Sequence, residues 1–311
     1  MWQNTRKSIE VIGFIAVLVV AIALIFLEVR VYGTGFRGKT LWDWLQLLII
    51  PLVLAVVALL FNFATTRTEQ KIAAKRFEQD QQIAAQRYEN DQYIALDKQR
   101  EDLLQTYLDR MSELLLEKQL RTSAPDTEVR NVARVRTITI LFQLDARRIG
   151  YVFAFLREAG LISNKPKSSI VSLSHADLDR INLSEVDLSR TDLSGTTFRR
   201  ANLSGAYLSE TNLSGTNFLG ANLREADLRE ADLSGAFLVG ADLFGAVLEK
   251  AILKEAVIMS ATLRKAFLKE ADLSDASLNR TDLSGAEVTE EQLKQAKSLK
   301  GATMPDGSIH P

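Results

Sequence analysis

Few side chains in this chain suit catalysis. There is no cysteine, and the only histidines are His175 and His310. Thiol chemistry, disulfide frameworks and cysteine-based zinc sites are excluded. A histidine-clustered metal site lacks its ligands. Carboxylates are abundant: residues 171–290 hold 19 acidic and 12 basic side chains. Paired carboxylates can do general acid–base work, and a Ser–His–Asp set can activate a hydroxyl. Neither is singled out by spacing. His175 has serines and aspartates all along the segment, and the carboxylates recur at outward positions. Gly195, Gly205, Gly215 and Gly235 stand where a turn needs them and form no phosphate loop. The expectation is a protein that is not an enzyme, with no catalytic, cofactor-binding or metal-ligating residues.

The interval itself is the informative feature. From Val171 to Glu290 the chain consists of 24 consecutive quintets without an insertion. The central residue is Leu in 20 of them, the exceptions being Phe198, Phe218, Ile258 and Val288. Two positions earlier stands Ala in 16 and Thr in five. Period five fits neither a helix nor a flat strand. It fits a chain that turns a corner every five residues, with the small residue against the wall and Leu on the axis. Four sides make one coil, and coils stack at about 4.8 Å. Each coil buries its faces only against its neighbours, which is the logic of a solenoid.

This A(D/N)LXX pattern resembles the pentapeptide-repeat family. The resemblance implies a right-handed quadrilateral β-helix, of about six coils over 171–290. The stretch Tyr107 to Leu141 is similar to the segment that precedes the repeats in membrane-anchored bacterial members. Thr289 and Gln292 form a capping-box pattern. A helix with Leu293, Ala296 and Leu299 on one side, ended by Gly301, is expected to cover the open end within 291–311.

Stepping four quintets at a time keeps to one side of such a rod. Leu219, Val239 and Met259 then stack at one outward position, and Phe237 and Val257 at the other outward position of the same side. These five are the candidate protein-contact patch, for a partner protein or for self-association. Phe244 lies on the adjacent side. Another side carries charges of mixed sign: Arg190, Glu210, Glu230, Lys250 and Glu270 at one position, Arg229, Glu249 and Lys269 at the next. Such ladders neutralise themselves and add little stability.

The N-terminal part is of another kind. Two uncharged runs, Val11–Leu27 and Trp44–Phe63, are long enough to span a bilayer, as helices over about 9–29 and 42–63. Trp42 and Trp44 mark an interface, and Pro51 is tolerable inside such a helix. The first run also has the parts of a cleaved signal peptide, with Ala21–Ala23 as cleavage site. The second run favours a two-helix hairpin over 1–66. Arg6, Lys7, Arg67, Lys71, Lys75 and Arg76 flank it, against Arg30, Arg37 and Lys39 in its loop. This favours both termini in the cytoplasm, and the resemblance to membrane-anchored bacterial members implies the bacterial inner membrane.

A helical stalk is expected over 67–120, with an 11-residue repeat that keeps Ile72, Ile83 and Ile94 in phase. A small helical module and linker follow over 121–170. Its second helix opens at Pro125 and Asp126, and its third runs from an N-cap at Asp145 to Gly160. Ser163–Ser169 reads as the linker. Arg130, Arg134, Arg136, Arg147 and Arg148 are either solvated or a surface for anionic lipid.

Charge separates the functional readings. Residues 1–170 carry a net +5, the repeats −7 and residues 291–311 +1. The architecture favours a scaffold or protein-interaction module held at the membrane, with lipid and protein partners, no cofactor and no nucleic acid. Some pentapeptide-repeat proteins resemble duplex DNA and act on DNA gyrase. That alternative needs a continuous acidic face, which Lys and Arg interrupt here. A sensor or transporter accessory is a further alternative, although the spans lack the ionisable residues that mark a transport path.

Overall fold

The computed structural model describes residues 41–165 and 168–311, together with Ile22. The chain divides into two units, Met1–Tyr88 and Glu89–Pro311. One helix, α1 (Leu41–Leu116), carries both the second apolar run and the 11-residue repeat. Among the described residues α1 is the one helix long and apolar enough to cross a membrane. Its apolar window has a mean hydropathy of 1.5 and is not buried in the protein. The first expected span, 9–29, lies outside the described residues. Within the first unit, Ile72, Phe77, Ile83 and Tyr88 are exposed.

In the second unit, Leu104, Tyr107 and Met111 of α1 join a buried cluster with α2 (Glu128–Leu141) and α3 (Ala146–Glu158). The long helix stops at Leu116, short of Leu120, because Gln119 takes a left-handed φ of 50° and turns Leu120 into the core. Asp145 caps α3 by accepting the Arg148 N–H at 3.0 Å. At the other end Gly160 is left-handed, and the Leu161 N–H reaches the Leu156 carbonyl at 2.8 Å. That is a Schellman closure. Thr137 donates to the Ala133 carbonyl, so the buried Tyr107 hydroxyl donates to Thr137. Burial pushes the Tyr107 phenol pKa upward.

The five arginines divide by role. Arg148 is almost fully buried and bonds Asp97, Glu101 and Asp145. Arg130 holds Ser123, and Arg134 donates to the Ser174 carbonyl at 2.9 Å. A basic face built from all five is therefore not formed. Three of the side chains are spent on tying segments together, which a helical wheel does not reveal. Arg136 and Arg147 remain exposed.

The segment expected to be a linker is docked. The Ser163 carbonyl accepts the Asp192 N–H at 2.8 Å, Asn164 donates to the Glu210 carbonyl at 3.2 Å, and Val171 N–H bonds Leu161. Ser163 thus takes the Asp192 N–H that the regular scheme would give to the Val171 carbonyl.

From Val171 the chain winds in four-sided coils, one quintet to a side. We number the sides by their first quintets: 171, 176, 181 and 186. The pairing between coils is a ladder of single parallel bridges, such as Asp177 with Thr197 and Thr197 with Asn217. Most quintets repeat one hydrogen-bond scheme. The N–H groups of the central and last residues donate to the next coil, as Leu178 to Thr197 and Arg180 to Arg199. The second residue donates to the previous coil, as Thr197 to Ala176. At the corner, the N–H of Ala176 closes a turn on the Leu173 carbonyl. The last residue of each quintet from His175 to Gly285 has a positive φ, 54–68°, as a type II turn requires.

The inward residues fill the axis. Leu at the centre and Ala at the first position are almost entirely buried. Phe198 and Phe218 stack there at 5.5 Å with rings 9° from parallel. The buried threonines at the first position cost little, because Thr196, Thr211 and Thr216 donate to the carbonyls of Leu173, Leu188 and Leu193.

At the C-terminal end Thr289 and Gln292 form both bonds of the capping box. Helix α4 is only Glu290–Lys294 and buries Leu293. It replaces one side of a seventh coil, after which the ladder resumes one residue out of phase. Ser277 pairs with Ser298 and Asp282 with Thr303. Gly301, with φ 70°, turns a corner of this added coil and does not end the helix. An antiparallel bridge of Thr303 with Ile309 closes the edge.

Candidate functional site

The outward positions of a quintet are its second and fourth residues. The hydrogen-bond scheme leaves the fourth residue's N–H without a backbone partner. Where the second residue is Asp or Asn, its Oδ1 accepts that N–H: Ser189 on Asp187 at 2.9 Å, Leu219 on Asn217 at 3.0 Å, Ser234 on Asp232 at 2.9 Å. This is an Asx turn, and it accounts for the Asp/Asn preference. Asparagines also bond along the stack, as Asn202 to Asn182 and Asn222 to Asn202. In the repeat pattern these acids count only as outward carboxylates. The signal for their role was the choice of the shortest carboxylate and amide, which reach no further than their own turn.

The caps set the electrostatics. The Arg229 guanidinium, against the opposing effect of burial, holds the Asp227 carboxyl below the usual range. The Ser274 hydroxyl and N–H do the same for Asp272. For Asp282 burial opposes the shift, but the bonds from Ser284 prevail and lower it. These carboxylates stay ionised and engaged with donors, a poor state for an acid catalyst. Among the described residues no group of three His, Asp or Glu side chains is placed to hold a metal. His175 lies over Gly195, where an added Cβ would sit 2.4 Å from its Nδ1. The charge ladders form in part. Arg190 meets Glu210 at 2.8 Å across a coil, whereas Arg229 pairs with Asp227 of its own quintet and not with Glu249.

The five patch residues lie on the second side. Leu219, Phe237 and Met259 are exposed at 45%, 49% and 38%, and Val239 and Val257 are half-buried. Phe237 pairs with Val257 in one column. In the other, the carbonyls of Leu219, Val239 and Met259 accept N–H groups from the preceding coil. The side chains therefore stand in two columns on a rigid ladder. Phe244, on the third side, is covered by the Arg224 guanidinium 4.5 Å above its ring. Tyr207 and Ile252 are exposed singly on other sides, and Phe267 pairs with the half-buried Val247 on the fourth.

The scaffold is a solenoid of quintets, four to a coil, built to display two outward columns per side. The family model for pentapeptide repeats matches it in eight copies, over 171–205, 201–238, 221–258 and 251–289. Over these residues the chain is a pentapeptide-repeat protein, a family whose fold is the right-handed quadrilateral β-helix. Among solved structures it is similar to HetL, a pentapeptide-repeat protein of Nostoc involved in heterocyst differentiation regulation. Identity is 26%, coverage 50% of this chain and 98% of HetL, and the TM-score 0.20. A pentapeptide-repeat protein from Cyanothece is 31% identical over 40% of this chain and 86% of its own, with a TM-score of 0.26. One from the Arabidopsis thaliana thylakoid lumen is 27% identical over 44% and 83%, with a TM-score of 0.23. None of the curated proteins matches.

Proposed function

We propose that the protein is a membrane-held, non-enzymatic scaffold whose repeat domain binds protein through its second side. The observation that carries this reading is the outward cluster of Leu219, Phe237, Val239, Val257 and Met259, whose backbone carbonyls are tied into the coil ladder. A rigid apolar surface of this kind loses little conformational freedom on binding. The apolar window of α1 supports membrane attachment, and the Lys and Arg distribution supports a cytoplasmic repeat domain. The DNA-mimic alternative is less well supported, because acidic groups such as Asp179, Asp227 and Glu210 are engaged by Arg199, Arg229 and Arg190.

The test is in-cell cross-linking from position 237, followed by mass spectrometry of the membrane fraction. A protein product that disappears with Val239→Lys and Met259→Lys supports the reading. Recovery of the chain in the soluble fraction after lysis would refute membrane attachment. Digestion of the repeats from outside intact cells would refute the orientation.

A further inference from the structure

The corner residues point to what covers the second side. Fifteen of the 23 left-handed corners hold residues other than glycine, so this backbone accepts a side chain there. Of the eight corner glycines, five border the second side: Gly195, Gly215 and Gly235 before it, Gly220 and Gly240 after it. Gly195 is needed beneath His175. At Gly215, Gly235 and Gly240, by contrast, an added Cβ would meet nothing within 4 Å. The chain's own packing does not demand a bare corner at these three places. The corner after the fourth side, with Arg190, Glu210, Glu230, Lys250 and Glu270, has no glycine at all.

The face between these corners is also the least charged one. From the second coil to the sixth its outward residues include Thr197, Asn217, Ser277 and Asn279 besides the five apolar ones, and Arg199 is the single charge. This strip is about 19 Å long, four coil spacings of about 4.8 Å. Each of the other three sides carries several charges over the same coils.

We propose that the second side is where two copies of this chain pair, side by side and parallel. The proposal rests on the protein-contact reading of this face and names the partner. A two-fold axis along the coil stack sets each coil against the same coil of the other copy. The second-residue column then meets the partner's fourth-residue column. Phe237 faces the partner's Val239, and Val257 faces the partner's Met259. The corner before the face meets the corner after it. Gly215 and Gly235 oppose the partner's Gly220 and Gly240, so the two ladders approach without obstruction. In the sixth coil the acidic Asp275 meets the partner's Arg280, once on each edge. A two-fold axis across the stack gives the antiparallel alternative. It sets Arg200 near the partner's Arg280, like against like, and leaves Asp275 beside a glycine. Charge complementarity selects the parallel pair.

The absence of cysteine makes the test direct. The full chain is extracted into detergent and its mass measured by light scattering over a range of concentrations. A dimer is expected. Val239→Lys with Met259→Lys should raise its dissociation constant about thirtyfold or more. Asp275→Arg should weaken it, and adding Arg280→Asp should restore it, which a merely misfolded variant cannot do. Co-expressed Phe237→Cys and Val239→Cys chains should form a mixed disulfide dimer, while Val239→Cys alone should not. Strong cross-linking of Val239→Cys with itself would overturn the parallel arrangement. A dimer indifferent to the lysine pair would place the interface elsewhere and overturn the proposal. A monomer that cross-links a different protein from position 237 would overturn self-pairing yet leave the scaffold reading standing. A monomer with no protein product would remove both.

Discussion

The first three coils and the last three share one core and differ in their second-residue column. Over 171–230 every such residue is Asp, Asn, Ser or Thr except Tyr207, and nine Asx side chains cap an N–H. Over 231–290 only four do, at Asp232, Asp242, Asp272 and Asp282. Phe237, Val247, Ile252, Val257 and Phe267 take most of the remaining places. Yet the coil ladder continues unchanged through both halves. The cap is thus an addition to the fold and is not its cause. An outward position can hold a local hydrogen bond or a contact side chain, and the two halves have made opposite choices.

The largest effect should come from the part the halves share. Phe218→Ala empties a stacked aromatic and should cost about 3–5 kcal/mol in urea unfolding. Because each coil contacts only its neighbours, hydrogen exchange should accelerate locally around it. Equal loosening of the distant sixth coil would contradict that picture.

Glycine corners should split next. Gly195→Ala drives a methyl into the His175 ring and adds left-handed strain, whereas Gly235→Ala adds only the strain, roughly 1–2 kcal/mol. The first should therefore lower the melting temperature more, and shortening His175 to Ala should bring the two together.

Exchanging the two choices is a smaller change. Asn212→Val in the capped half should lose about 0.5–1.5 kcal/mol, since Ser214 N–H loses its acceptor. Val257→Asn should gain a cap and a few tenths of a kcal/mol while weakening any association through this face. A loss of stability at both sites would mean that burial, not capping, governs the column.

The smallest effect is acid sensitivity. Asp227 and Asp272 are held below the ordinary carboxyl range. Their folded values lie below the unfolded value of about 3.9, so the unfolded chain takes up protons first as pH falls. Their contribution is complete above that value and fades below it. The melting temperature should be level above about pH 5 and decline below about pH 4. Asp272→Asn keeps an acceptor for Ser274 but cannot titrate, and should reduce the slope. An unchanged slope would show that the cap carboxylates do not govern acid unfolding.

The helical module shows where periodicity reads well and where it does not. Asp145 and Gly160 followed from local rules, because a cap is satisfied within one turn. Helix α2, expected to open at Pro125 and Asp126, instead starts at Glu128 from an N-cap at Thr127, because Asp126 takes a left-handed φ of 62°. Arg148 looked like a surface charge. It is buried because Asp97 and Glu101, far earlier in the chain on α1, come to meet it, and no local pattern carries that information. Ser163–Ser169 looked like a spacer for the same reason, since its partners Asp192 and Glu210 belong to the coils.

The sequence by itself determined the quintet register, the four-sided coil and the Leu-filled axis. A strict period leaves only one set of residues that can face inward at every turn. The tertiary structure alone decided what the outward residues do. An Asp that only caps its own turn, as Asp232 does, differs from one that meets an arginine of the neighbouring coil, as Asp179 meets Arg199 and Asp242 meets Arg224. The C-terminal edge was settled in the same way. Only the docked coil shows α4 standing in for a side and Gly301 turning a further corner, because that choice rests on unpaired backbone of the preceding coil.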